Sequence, residues 1–161
     1  MENNTSFFVT QVIIKTKMQD INKKNGYAVI AGYASTFNNI DKSSHIILPT
    51  AFTQQNFIQN VPILFQHNVS HHLGSLLSAI VDSNGLYIEA ALFLNTTLQK
   101  SVFNLIKDNR VKGFSVGLQI ESSKMEMGIL KIKQARLLEV SLTPNPVNTF
   151  CSIDFCEKFL I

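Results

Sequence analysis

Tryptophan is absent from this 161-residue chain, and cysteine, proline and glycine are scarce, at two, four and seven residues. The cysteines, Cys151 and Cys156, both lie in the tail. Two thiols in a cytoplasmic chain are expected to be reduced and inert. Long apolar runs are missing too. No stretch approaches the ~20 apolar residues that a helix needs to cross a bilayer, so no membrane span is expected. Met1-Glu2-Asn3-Asn4-Thr5-Ser6 opens the chain without a basic region, an apolar run and a small-residue cleavage site, so no secretory signal is expected and the expected place is the cytoplasm. Charge is sparse: Asp, Glu, Lys and Arg make up 16% of residues, and the formal net charge is +3. The basic residues are scattered. Lys15 with Lys17, and Lys131 with Lys133, alternate with apolar partners as strand faces do, so nucleic-acid binding is not expected.

What remains is apolar. Hydrophobic residues make up 45% of the chain, which excludes intrinsic disorder. The length suits a single globular domain, 1–161, with a core that needs no staples. Short strands dominate the pattern. Phe7–Lys17 and Tyr27–Thr36 carry β-branched and aromatic enrichment, with Asn22–Gly26 as a turn between them. Ile46–Leu48 is a short run that Pro49 ends. Gly74–Val81 and Leu86–Phe93 read as a hairpin, whose Asn84-Gly85 is expected to supply positive φ angles. Phe114–Glu121, Ile129–Lys133 and Arg136–Leu142 follow. Two segments read as helices. One is Thr50–Gln59. The other is Thr96–Asn109, where Thr96 and Gln99 have capping-box spacing and Leu98, Val102, Leu105 and Ile106 share a face. The expected class is α+β, a small, mainly antiparallel β-barrel with flanking helices.

Three segments carry candidate chemistry. Gly113-Phe114-Ser115-Val116-Gly117 matches G-x-S-x-G, but the α/β-hydrolase elbow is excluded. Here the serine follows a helix and begins a strand, and all four histidines precede it. As a strand, the segment puts Phe114, Val116, Leu118 and Ile120 on an apolar face and Ser115, Gly117, Gln119 and Glu121 on the other. Glycines two residues either side of Ser115 are expected to let a peptide backbone approach. A plain surface serine fits this segment alone at least as well. His67 closes the apolar run Val61–His67 and has the titration range of a general base, although a half-buried loop histidine is the plainer reading. His71 and His72 have no carboxylate or cysteine nearby to complete a metal set. Glu139 stands in Leu137–Pro144, a largely apolar strand where a carboxylate needs a partner. An imidazolium would serve, and so would a Lys or Arg. Ser141 shares the face of Glu139 among bulky neighbours, so its replacement is expected to change catalysis by less than about tenfold.

Taken in order, these segments resemble the prohead maturation proteases of tailed bacteriophages, a family related to the herpesvirus assemblins. The resemblance spans about residues 8–150. It runs from Gly32-Tyr33-Ala34-Ser35-Thr36-Phe37 and Asp41, through Pro49-Thr50-Ala51-Phe52 and Leu64-Phe65-Gln66-His67. It continues through Leu73-Gly74, Asn84-Gly85-Leu86 and Lys112–Gly117 to Glu139–Asn148. Two positions depart from the family pattern: Thr50 stands for a glycine, and Ser43-Ser44-His45 for an acidic or glycine-rich approach.

The resemblance implies an assemblin-like fold and a serine endopeptidase with His67 as base and Ser115 as nucleophile. Glu139 takes the third place on carboxylate–imidazole logic, because no histidine follows Ser115. Backbone amides around Val116 and Gly117, or Arg136, are candidate oxyanion donors. No cofactor or metal is implied. The implied substrates are scaffold and major coat protein, with self-cleavage and homo-oligomer formation left open, inside the assembling procapsid in the bacterial cytoplasm. Two rival readings stay open: a catalytically idle capsid-assembly module on the same fold, and a basic nucleic-acid-binding barrel.

Overall fold

The computed structural model describes residues 26–53 and 61–159. Their elements, in order, are β1 (Tyr27–Thr36), β2 (His45–Ile47), β3 (Pro62–Phe65), β4 (Asn68–Val81), β5 (Gly85–Phe93), α1 (Thr97–Lys107), β6 (Gly113–Glu126), β7 (Ile129–Thr143) and β8 (Phe155–Phe159). The strands form one sheet in the order β2-β7-β3-β4-β5-β1-β8, with β6 paired to β7 off that path. Most pairs are antiparallel, but β2 and β3 both run parallel to β7. Among the described residues β2 and β8 do not pair with each other, so the ladder stays open where a closed barrel was expected. Closure needs matched strands at both ends of the path. Here the ends are three and five residues long. The strand expected at Phe7–Lys17 and most of the turn before Gly26 lie outside the described residues.

Of the two expected helices, the described residues contain one, α1. Its capping box forms as the spacing predicts. Thr96 Oγ1 accepts from the Gln99 amide at 3.2 Å, and Gln99 Oε1 accepts from the Thr96 amide at 3.0 Å. Val102, Phe103 and Ile106 are buried, and the helix ends two residues early because Asn109 takes a φ of 56°. At Thr50–Gln59 the first residues instead form a turn, in which the Thr50 hydroxyl donates to the Lys133 carbonyl at 2.9 Å. Residues 54–60 lie outside the described set.

The turn at Asp82–Gly85 works differently from the Asn-Gly expectation. Neither Asn84 nor Gly85 has a positive φ. The Asp82 carboxylate closes the turn by accepting from the amides of Asn84 and Gly85, at 2.7 and 3.0 Å. Gly85 is needed for contact instead, since a Cβ there would sit 2.0 Å from the Ser35 carbonyl oxygen. A tight two-residue turn with both φ positive stands instead at Met127-Gly128, at 49° and 79°, which joins β6 to β7.

That hairpin is the frame of the molecule. Ile129–Lys133 and Arg136–Leu142 are one fifteen-residue strand, β7. Unpaired residues at Glu121, Lys133 and Leu138 shift its register against β6 and interrupt the alternation along both strands. Leu138 is therefore 50% exposed instead of sharing the buried face of Val140 and Leu142. On its other edge β7 holds β2 near Leu130 and β3 near Ser141. The core is built from fully buried side chains that include Ile30, Ile63, Leu86, Ile88, Phe114 and Leu142. Each stabilises the fold by about 1.5–3 kcal/mol relative to exposure.

Candidate active site

Three elements meet at the C-terminal half of β7. β3 lies along one edge, with Leu64 opposite Ser141 and Phe65 opposite Leu142. β6 lies along the other, with Ser115 opposite Ser141 and Gly117 opposite Glu139. Gln66 and His67 are the whole loop between β3 and β4, since Phe65 pairs with Asn68. Their φ angles are 50° and 59°, so the chain reverses through two left-handed residues, neither of them glycine. Histidine tolerates this conformation better than most residues. The Gln66 amide donates to the Leu142 carbonyl at 3.1 Å, which pins the turn beside β7 and points His67 at the strand pair.

The three residues singled out in the sequence converge here. His67 Nδ1 lies 2.5 Å from Glu139 Oε1, and His67 Nε2 lies 3.1 Å from Ser115 Oγ. A carboxylate only accepts, so the neutral ring carries its proton on Nδ1 and leaves the Nε2 lone pair to accept from the Ser115 hydroxyl. The site is graded in exposure. The Ser115 residue is 6% exposed, whereas the Glu139 and His67 side chains are 14% and 45% exposed. The Glu139 carboxylate sits in a recess, and the His67 ring stands at the surface.

Ser141 also belongs to this cluster, although its sequence context marked it as a bystander. Its hydroxyl donates to Glu139 Oε2 at 2.8 Å and accepts from the His67 amide at 2.9 Å. The glycines flanking Ser115 have a different use from the expected one. A Cβ at Gly117 would lie 2.5 Å from Glu139 Oε1, and one at Gly113 would lie 2.0 Å from the Cys151 carbonyl oxygen. Both spaces are filled by this chain and not left for a substrate. Gly117 is where the Glu139 carboxylate lies across β6. Gly117→Ala is therefore expected to displace that carboxylate and lower kcat by at least about tenfold, with an unchanged far-ultraviolet dichroism spectrum. A variant with wild-type kcat would show that the carboxylate tolerates the shift.

A cavity of about 260 Å³ opens beside Ser115 and His67. Phe114, Val116, Leu118 and Ile120, the expected apolar face of this strand, all line the cavity, together with Ile47 and Ile132. Asp41, Ser43 and His45 supply its polar part. Other sequence candidates are placed elsewhere. Arg136 pairs with Glu121 at 3.4 Å and lines a separate hollow with Thr50 and Ala51. The His71 ring packs near Phe65 and the His72 ring near Phe93. Both cysteines are free, and burial pushes the Cys151 thiol up to about 12. Among the described residues, no helix is long and apolar enough to cross a membrane.

The sequence of residues 13–159 matches the family model of the caudovirus prohead serine protease. The chain belongs to this family. It is 29% identical over 138 residues to the prohead protease of Escherichia phage T5, a match covering 82% of this chain and 64% of that protein. It is 31% identical over 127 residues to the prohead protease of Enterobacteria phage HK97, covering 74% of this chain and 56% of that one. The matched segments therefore leave more than a third of each relative's length uncovered. Among solved structures the fold resembles the KSHV protease in complex with a hexapeptide phosphonate inhibitor. The TM-score is 0.54 at 12% identity, covering 84% of this chain and 66% of that one. The varicella-zoster virus protease gives a TM-score of 0.51 at 11% identity, with 82% and 64% covered. The fold is thus assemblin-like: mostly sheet, with one helix among the described residues.

Proposed function

We propose that this family member is a serine endopeptidase that processes scaffold and coat protein during phage procapsid maturation. Ser115 is its nucleophile, His67 its general base and Glu139 the carboxylate that orients the base. The observation that carries this reading is the unbroken hydrogen-bond chain from Glu139 through both ring nitrogens of His67 to Ser115. A serine hydroxyl attacks a peptide carbonyl only as a base removes its proton, and Nε2 is placed to do so. Glu139 then stabilises the imidazolium that forms. His67 returns the proton to the leaving amine, and water releases the acyl group by the same route.

The cavity beside Ser115 receives a substrate side chain. The substrate backbone adds alongside β6, which among the described residues pairs with β7 alone. The catalytic unit is one domain, acting inside the assembling procapsid within the bacterial cytoplasm, and self-cleavage fits the same chemistry.

The test is direct. The purified chain, mixed with scaffold and coat protein of the same phage, is expected to yield fragments that disappear with Ser115→Ala. Fragments that survive the substitution would overturn Ser115 as the nucleophile, and none from the wild type would leave a catalytically idle assembly module as the better reading. The cleavage rate is also expected to fall on the acid side, because a protonated imidazole has no lone pair for the serine proton. A profile flat from about pH 5 to 8, with chemistry limiting, would remove His67 from the role of base.

A further inference from the structure

Ser141 is 0% exposed, and its hydroxyl is engaged as both donor and acceptor. The His67 amide only donates, so Ser141 Oγ accepts there, at 2.9 Å. The hydroxyl proton goes to Glu139 Oε2 at 2.8 Å. The other carboxylate oxygen is left for His67 Nδ1 at 2.5 Å. These bonds close a ring. It runs from the backbone of His67 through Ser141 and Glu139 to the imidazole of the same His67.

Two features of the site make such a ring consequential. The left-handed conformation costs an ordinary residue roughly 1–2 kcal/mol, and Gln66 and His67 both adopt it. Contacts outside the turn must therefore hold it in place. The Glu139 carboxylate, lying over the bare backbone of Gly117, also needs a second bond to fix its rotation about the side-chain axis. Ser141 supplies both from the one β7 position that pairs with Ser115 on one side and Leu64 on the other.

We propose that Ser141 is a positioning residue, which sets the His67 ring for proton transfer from Ser115 by tying the backbone of the base to its orienting carboxylate. It touches neither the nucleophile's proton nor the substrate, and it acts through His67 and Glu139. This inference rests on the protease reading. It also replaces the small effect expected from sequence context with a large one.

The experiment compares Ser141→Ala and Ser141→Cys, a thiol of similar size and weak donor strength, with wild type and Ser115→Ala on a coat-derived peptide. In parallel, the low-field proton resonance of His67 Nδ1–H, identified by its loss in His67→Ala, is followed without substrate. Both Ser141 variants are expected to lose at least about 30-fold in kcat with KM within about threefold, and to lose or shift that resonance. In a Glu139→Ala background, adding Ser141→Ala is expected to cost less than about threefold, because positions acting through one another are not additive. Wild-type kcat in both variants, an unmoved resonance, or an equal loss in both backgrounds would overturn the proposal. Failure of both variants to fold would make the hydroxyl a structural pin and overturn it as well. A wild-type chain without Ser115-dependent cleavage would instead sink the protease reading, while the resonance still decides whether Ser141 sets the His67–Glu139 pair.

Discussion

Replacing Ser115 by alanine is expected to lower kcat for scaffold or coat cleavage by about 10⁴-fold or more, equivalent to at least about 5 kcal/mol of barrier. The size of the effect follows from the lack of a substitute. The hydroxyl of Ser141, opposite Ser115 on the paired strand, is wholly buried and already bonded to Glu139 and the His67 amide. The substitution itself is structurally mild. It removes one oxygen from a β6 position whose hydroxyl bonds the half-exposed His67 ring at 3.1 Å. Such a bond contributes about 0.5–1.5 kcal/mol to stability. The variant should therefore keep its sheet signature and melt within a few degrees of wild type. Rates for one peptide substrate, measured beside a melting curve, separate the two effects. A folded Ser115→Ala protein that cleaves within tenfold of wild type would overturn the nucleophile assignment.

Much of the framework was legible because it depends on local pattern. The capping-box spacing of Thr96 and Gln99 marks the start of α1, and the β-branched and aromatic enrichment of Tyr27–Thr36 marks β1 with the same bounds. Ser115 stands out through its G-x-S-x-G setting, and Glu139 as a carboxylate in a largely apolar strand. What the pattern could not carry was register. Whether Gly117 faces Glu139 or a neighbour depends on the unpaired Leu138, and nothing in the local alternation announces that bulge. The parallel contacts of β7 with β2 and β3 join segments far apart in the chain, and no local signal encodes them. The role of Ser141 was hidden for the same reason, since its partners come from three elements. β8 was missed because Phe155-Cys156-Glu157-Lys158-Phe159 has two charges at its centre and no clean alternation. The Gln66-His67 turn also lacks the Asn-Gly signature that marks such turns in sequence. It is held by its bonds to β7, not by an intrinsic preference.

Glu139→Gln is expected to cost about 10²–10³-fold in kcat, less than the loss of Ser115 and more than the loss of Ser141. In this variant an amide replaces a carboxylate that bonds on both sides. With its oxygen toward His67, the glutamine still accepts from Nδ1 and keeps the productive tautomer. Its NH₂ group then meets the Ser141 hydroxyl, which must give up its donated bond to Oε2. In that orientation the loss is the negative charge that stabilises the imidazolium as Ser115 is deprotonated. With the amide reversed, NH₂ faces Nδ1. The ring then places its proton on Nε2, which can no longer accept from Ser115. Either orientation slows the chemical step and leaves the cavity beside Ser115 untouched, so kcat should fall while KM moves by no more than about threefold. Raising the pH should not restore the rate, because the defect is the missing charge or the wrong tautomer and not an excess proton on the base. A Glu139→Gln protein with near wild-type kcat would remove the carboxylate from the mechanism and leave a Ser115–His67 pair acting alone.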